Sequence, residues 1–219
     1  MPRCLNSPFI FAGMQTFNNQ NFTTICDALA VQHPYFAGII NRYGYPPLWS
    51  RQPNFKTLIH FILEQQVSLA SALAALRQLQ AKLGEVTPEK LLLLSDEEMK
   101  ACYFSRQKMG YARHLATAVI SGQINIEALA ILPDKEVISQ LTRLKGIGIW
   151  TAEVFLMMAI NRSDFFPVGD VALINSVRHE LQNPDLTKTD ILELSAIWSP
   201  YRTVAAYLFW HVYLERRKK

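Results

Sequence analysis

Apolar side chains return at three- and four-residue intervals along most of this chain, separated by short polar or Pro/Gly-containing breaks. Leu58, Ile62, Leu69, Leu73 and Leu76 share one face at helical spacing. This predicts a single helix capped by Asn54 and closed by Gly84. A helix over about 24–31 is predicted to end at Pro34, with Gly44-Tyr45-Pro46-Pro47 as a loop. Thr87-Pro88-Glu89 opens another helix, because proline in a first turn gives up an N–H that has no partner anyway. The same reading predicts a short element at 96–101, a loop at 103–106 and a helix at 107–121 stopped by Gly122. Helices follow at 135–142, from Gly148 to near Asn161, and at 171–181, 187–196 and 203–215. No stretch alternates with period two. The pattern therefore predicts an all-α fold in one domain over 22–219, preceded by an irregular arm at 1–21 that holds Pro2, Pro8, Gly13 and an Asn/Gln cluster.

Composition narrows the class. At 219 residues and 50% hydrophobic, the chain can bury a substantial core and is not a disordered polymer. The net charge of +4 suits nucleic acid but equally suits an ordinary solvated surface. The cysteines, Cys4, Cys26 and Cys102, are too few and too scattered for a disulfide framework or a Cys-rich metal motif. Reduced thiols in a cytoplasmic protein are the simplest account. No apolar run reaches the ~20 residues of a membrane span, and Phe9–Ala12 is too short for a signal peptide, so no membrane partner is expected.

Chemistry concentrates between Leu144 and Asp170. Gly146 and Gly148 precede a predicted helix. Glycine allows positive φ and close approach, and the free N–H groups of a helix N-terminus bind anions such as a phosphate. Lys145 adds charge. An ordinary turn between packed helices would also take two glycines. A Pro/Gly loop then delivers Asp170 to the start of the next helix, where an aspartate is a favoured cap. The capping and chemical roles are compatible, since a helix N-terminus favours negative charge.

Leu144-Lys145-Gly146-Ile147-Gly148-Ile149-Trp150-Thr151-Ala152 resembles the hairpin of the helix-hairpin-helix Gly/Pro-Asp DNA glycosylases. Phe166-Pro167-Val168-Gly169-Asp170 resembles that family's Phe-Pro-x-x-Asp. The resemblance spans about 58–210. It implies a two-lobed helical fold with the hairpin at 135–160 and a cleft between the lobes. It also implies duplex DNA with damaged bases as partner, and Asp170 as catalytic carboxylate. Lys145, Gly146, Gly148 and Thr151 would anchor phosphate. Some relatives hold a Schiff-base lysine where this chain has Trp150, so the resemblance implies a monofunctional hydrolase. Trp at this position is similar to the branch that removes 3-methyladenine from alkylated DNA.

Trp150 and Trp210 would line the base pocket, where aromatic faces attract a cationic purine. Trp210 belongs to Trp198-Ser199-Pro200-Tyr201-Arg202…Trp210, similar to a C-terminal family motif. Simple helix packing would account equally for the tryptophans, and is the preferred account of Trp198. Ile62-Leu63-Glu64-Gln65-Gln66-Val67-Ser68 resembles the family's Ile-x-x-Gln-Gln-x-Ser, and the segment 104–108 its DNA-wedge loop, with Arg106 or the bulkier Phe104 as wedge. Arg202 is expected to pair with a carboxylate.

The family implies no iron–sulfur cluster here, for want of its four cysteines, and no other cofactor. A monovalent cation at the carbonyls of Thr142, Leu144 and Ile147 is an option. The chain is too short for the extra β-domain of larger relatives, and a monomer is expected. The rival readings are a non-catalytic helix-hairpin-helix DNA-binding module, a glycosylase for uracil or mispaired adenine, and a plain helical interaction protein.

Overall fold

The structure is a computed structural model that describes residues 16–218. It is helical throughout. Among the described residues, the β-type pairing is one isolated bridge between Thr16 and Arg162. The helices are α1 (Phe22–Gln32), α2 (Pro34–Tyr43), α3 (Phe55–Glu64), α4 (Leu69–Leu83), α5 (Pro88–Leu92), α6 (Asp96–Ala101) and α7 (Arg106–Ile120). They continue with α8 (Asp134–Thr142), α9 (Ile149–Met158), α10 (Val171–Glu180), α11 (Lys188–Ser195) and α12 (Arg202–Arg216). Short 3-10 turns lie at Glu127–Ile131 and Ala196–Trp198.

Side-chain caps fix most of the starts. The Asn54 side chain accepts the Thr57 N–H at 3.0 Å, and Ser68 accepts that of Ser71 at 3.1 Å. Ser95 and Glu98 close a reciprocal capping box, as do Thr187 and Asp190.

Two predicted elements are corrected. The first helix does end before Pro34, with His33 as its C-cap, but a helix the pattern missed follows at once, for Pro34 also begins α2, at the first helical position where its ring is tolerated. The helix read through Leu58–Leu76 is two helices. Gln65 turns extended, Gln66 takes φ +57°, and Ser68 caps a new start. The apolar spacing ran across this elbow by coincidence, for Leu69 and Leu73 are 54% and 38% exposed. Residues 1–15 of the predicted arm lie outside the described residues. At its end Phe17 is buried against Phe22 and Tyr207, and its N–H reaches the Asn161 carbonyl at 3.0 Å.

The helices pack as two groups. α3 to α9 form one, in which α3 lies against α4, α7 and α9, and α8 against α9. α1, α2, α10, α11 and α12 form the other, around α12. Backbone bonds tie the connecting segments to the helices, Arg51 N–H to the Met158 carbonyl at 2.7 Å and Thr203 N–H to that of Ser163 at 2.9 Å. The segment from α9 to α10 crosses from one group to the other and carries the residues described next.

Candidate active site at the hairpin and the capped carboxylate

α8 and α9 are joined by the tight turn 143–148. Gly146 has φ +87°, a conformation that L side chains rarely adopt. A Cβ there would meet Tyr111 Cγ at 2.1 Å, because the Tyr111 ring lies over the turn. Gly148 is extended at φ −93°, so its backbone does not require glycine. The space a Cβ would fill is open, which leaves the α9 N-terminus bare. Among the described residues the N–H groups of Gly148, Ile149, Trp150 and Thr151 have no acceptor. Exposed Lys145 lies beside them, and free N–H groups at a helix N-terminus are of the kind that can accept an anion.

The turn is held from behind by Gln65, whose amide donates to the Gly146 carbonyl at 2.8 Å and to Thr151 Oγ1 at 3.1 Å. Thr151 is 2% exposed. Its hydroxyl therefore braces the turn, and what it can offer a phosphate is its backbone N–H. Lys108 in turn caps α3 by donating to the Leu63 carbonyl at 2.6 Å.

Asp170 lies half-buried at the N-terminus of α10. Oδ1 accepts the Leu173 N–H at 2.8 Å, and Oδ2 accepts the Trp150 indole N–H at 3.2 Å. The cap and the hairpin helix thus meet at one carboxylate. A Cβ added at Gly169 would come within 3.7 Å of Trp150 Cβ, so the loop runs close beside that side chain.

The loop leading there is anchored by Arg202. Its Nε and Nη2 donate to the two carboxylate oxygens of Asp164 at 2.7 and 3.0 Å, and Nη2 also donates to the Asp164 carbonyl at 2.9 Å. Burial works against the Asp164 charge, but the hydrogen bonds from Arg202 and Ser199 outweigh it and hold the carboxyl below its ordinary value. Glu153, one turn beyond Trp150, was not singled out from the sequence. Burial pushes its carboxyl up to about 7, against the pull of Arg202.

The remaining expected site residues divide. Trp210 is 8% exposed and sits 5.9 Å from the Tyr207 ring in an aromatic group with Trp49. Among the described residues no ring contact joins it to Trp150. Trp198 is core, donating to the Tyr35 hydroxyl at 2.6 Å. Phe104 is 3% exposed and is excluded as a wedge, whereas Arg106 is exposed in the first turn of α7. The neighbouring residue that projects is Tyr103, 64% exposed at φ +63°. Its signal in the sequence was only an aromatic just before a Ser-capped helix. The Leu144 carbonyl already accepts the Ile147 N–H at 3.1 Å. No group of three or more His, Cys, Asp or Glu among the described residues could hold a metal, and no described helix is long and apolar enough to cross a membrane.

A bare helix N-terminus, a glycine turn and an adjoining capped carboxylate define a helix-hairpin-helix protein equipped to act on a phosphate-linked substrate. Residues 59–200 match the model of the HhH-GPD superfamily of base excision DNA repair proteins, and the chain belongs to that family. It is 35% identical over 177 residues to DNA-3-methyladenine glycosylase 1 of Schizosaccharomyces pombe, covering 78% of each chain. The solved S. pombe 3-methyladenine DNA glycosylase in complex with abasic DNA superposes with a TM-score of 0.79 at 32% identity, over 85% of this chain and 95% of that one. A Bacillus halodurans DNA-3-methyladenine glycosidase superposes with a TM-score of 0.72 at 29% identity, covering 94% and 95%.

Proposed function

We propose that the protein is a monofunctional DNA glycosylase that flips alkylated purines, of the 3-methyladenine kind, out of duplex DNA and hydrolyses their N-glycosidic bond. The observation that carries this is the Asp170 carboxylate bonded to Trp150 at the start of the hairpin helix. Phosphate gripping alone needs neither group. A base inside the duplex is out of reach, so the nucleotide must leave the stack. The N–H groups of Gly148 to Thr151 and the ammonium of Lys145 take the backbone phosphates.

Asp170 stands beside C1′, where it stabilises the oxocarbenium charge and takes a proton from the attacking water. Trp150 supplies an aromatic wall. Alkylation at N3 or N7 places positive charge on the base and makes it a good leaving group. Tyr103 and Arg106 stand at the loop suited to fill the vacated stack. With Trp150 where a Schiff-base lysine would stand, the product is an intact abasic site. The charged groups of the turn, Arg143 and Lys145, oppose a cation at its carbonyls, and no step is assigned to one.

The test is release of free bases from methylated duplex DNA. Release of 3-methyladenine, with strand breaks only after alkali, is expected. DNA binding with no base released would leave the binding module as the reading. Release of uracil or mispaired adenine alone would replace the lesion class.

A further inference from the structure

Glu153 is the single charged residue of α9, in the run IWTAEVFLMM. The helix is buried along most of its length. The strip open to solvent from its N-terminal end comprises Ile149, Trp150 and Glu153, and it closes at buried Met157. Glu153 lies three residues after Trp150, about 4.5 Å further along the axis and on the same side of the helix. Trp150 and Glu153 are thus neighbours on the partly exposed strip of α9.

Its carboxyl has no hydrogen bond or ion pair among the described residues. Of the elements packed on α9, α3 carries Lys56, His60 and Glu64, and α8 carries Asp134, Lys135 and Glu136; the crossing loop adds Asp164 and Asp170, and α12 adds Arg202. Of these only Arg202 acts on Glu153, and its guanidinium is already committed to Asp164. A half-buried, unpaired carboxyl costs stability and does nothing for packing. Such groups cluster where an acid is used.

We propose that Glu153 is a second carboxyl of the reaction, an acid that protonates an uncharged purine as it departs and so extends excision beyond alkylated cations. In that step the C1′–N9 bond breaks and its electron pair goes to the base. The Glu153 proton goes to a ring nitrogen of the base, and water adds to C1′ while Asp170 accepts its proton. Solvent then reprotonates Glu153. A cationic base leaves neutral and needs no such proton. The carboxyl raised to about 7 by burial is a competent acid near neutrality. This inference rests on the glycosylase reading above.

The experiment is single-turnover excision, from about pH 6 to about pH 9, of one hypoxanthine and of one 7-methylguanine in otherwise identical duplexes, with Glu153→Gln and Glu153→Asp beside the wild type. Wild-type hypoxanthine release is expected to fall as pH rises above about 7. In Glu153→Gln it should drop roughly 100-fold at the acid end and lose its pH dependence, while Glu153→Asp retains part of both. Release of 7-methylguanine should be unchanged in both variants. Equal losses on the two substrates would mark Glu153 as structural and overturn the inference. So would a wild type that excises 7-methylguanine but never hypoxanthine, and in that case the glycosylase reading stands. Release of neither base overturns the inference, and if 3-methyladenine is not released from methylated DNA either, the glycosylase reading falls with it.

Discussion

Replacing Asp170 with asparagine separates charge from shape, and the structure sets the size of both effects. The carboxylate serves two donors, Leu173 N–H through Oδ1 and the Trp150 indole through Oδ2. Asparagine is as good a helix cap as aspartate, but it has one carbonyl oxygen for the two donors. Its NH2 must then face one of them, at a net cost of about 1 kcal/mol. In a domain of this size that lowers Tm by about 2–4 °C.

The loss of charge is larger. A unit negative charge about 4 Å from an oxocarbenium ion, at an effective dielectric constant of about 20, contributes about 4 kcal/mol. At about 1.4 kcal/mol per decade this is a rate loss on the order of 1,000-fold. Single-turnover release of 3-methyladenine, run beside a thermal melt and a DNA-binding titration, measures all three quantities. Asp170→Asn should bind DNA like the wild type, melt a few degrees lower, and be nearly inactive. A variant that keeps activity to within about tenfold would refute the assignment, because no electrostatic role of the stated size could then belong to this residue.

Gly146→Ala forces a side chain into the left-handed region, at about 1–2 kcal/mol, and drives its Cβ into the Tyr111 ring. Fluorescence anisotropy should show weakened DNA binding, partly recovered in the Gly146→Ala/Tyr111→Ala double variant. Arg202→Ala strands the half-buried Asp164 carboxylate and should cost about 1–3 kcal/mol in denaturant unfolding. Because that carboxyl is held below its ordinary value of 3.8, its stabilisation is complete above that pH and is lost as pH falls through the lower native value. Arg202→Ala should therefore flatten the acid limb of the stability profile. Glu153 has the opposite sign. The native state holds its proton up to about 7, so the wild type loses stability as pH rises from about 4.5 through about 7, and Glu153→Gln should melt higher than the wild type at alkaline pH but not at acid pH. Cys26, buried and with its thiol pushed up to about 12, should resist thiol reagents until the protein unfolds.

Much of the fold was legible because helix starts are written in local chemistry. Asn54 caps where it was read, the helices read from 87 and 187 start there behind Thr87 and Thr187 caps, and Asp170 caps α10 while also receiving Trp150. The elbow at Gln66 was not legible. Periodicity averages over a window longer than the two-residue break, and glutamine carries no mark of a positive φ. Pro34 was read as the end of the first helix, which it is, but α2 was missed because a proline that ends one helix can also begin the next. Burial was hardest to read. Thr151 and Phe104 face inward and Tyr103 outward, and for Thr151 that rests on Gln65, a partner distant in sequence. Glu153 did leave a trace, a lone carboxylate in an apolar helix, which is informative once Trp150 has been placed.

The turn between α8 and α9 is not self-supporting. Gln65 comes from eighty-one residues upstream to hold its carbonyl, and the Tyr111 ring of α7 lies over its glycine. The residues proposed to meet the phosphate are contiguous in sequence, but those that shape them are not. A peptide cut from 134–160 would lose both supports, and grafting those residues onto another helical pair would transplant the contacts without the conformation. Over evolution such a dependence couples the two stretches. Substitutions at Gln65 or Tyr111 would act on the turn through its supports and so couple to changes within it.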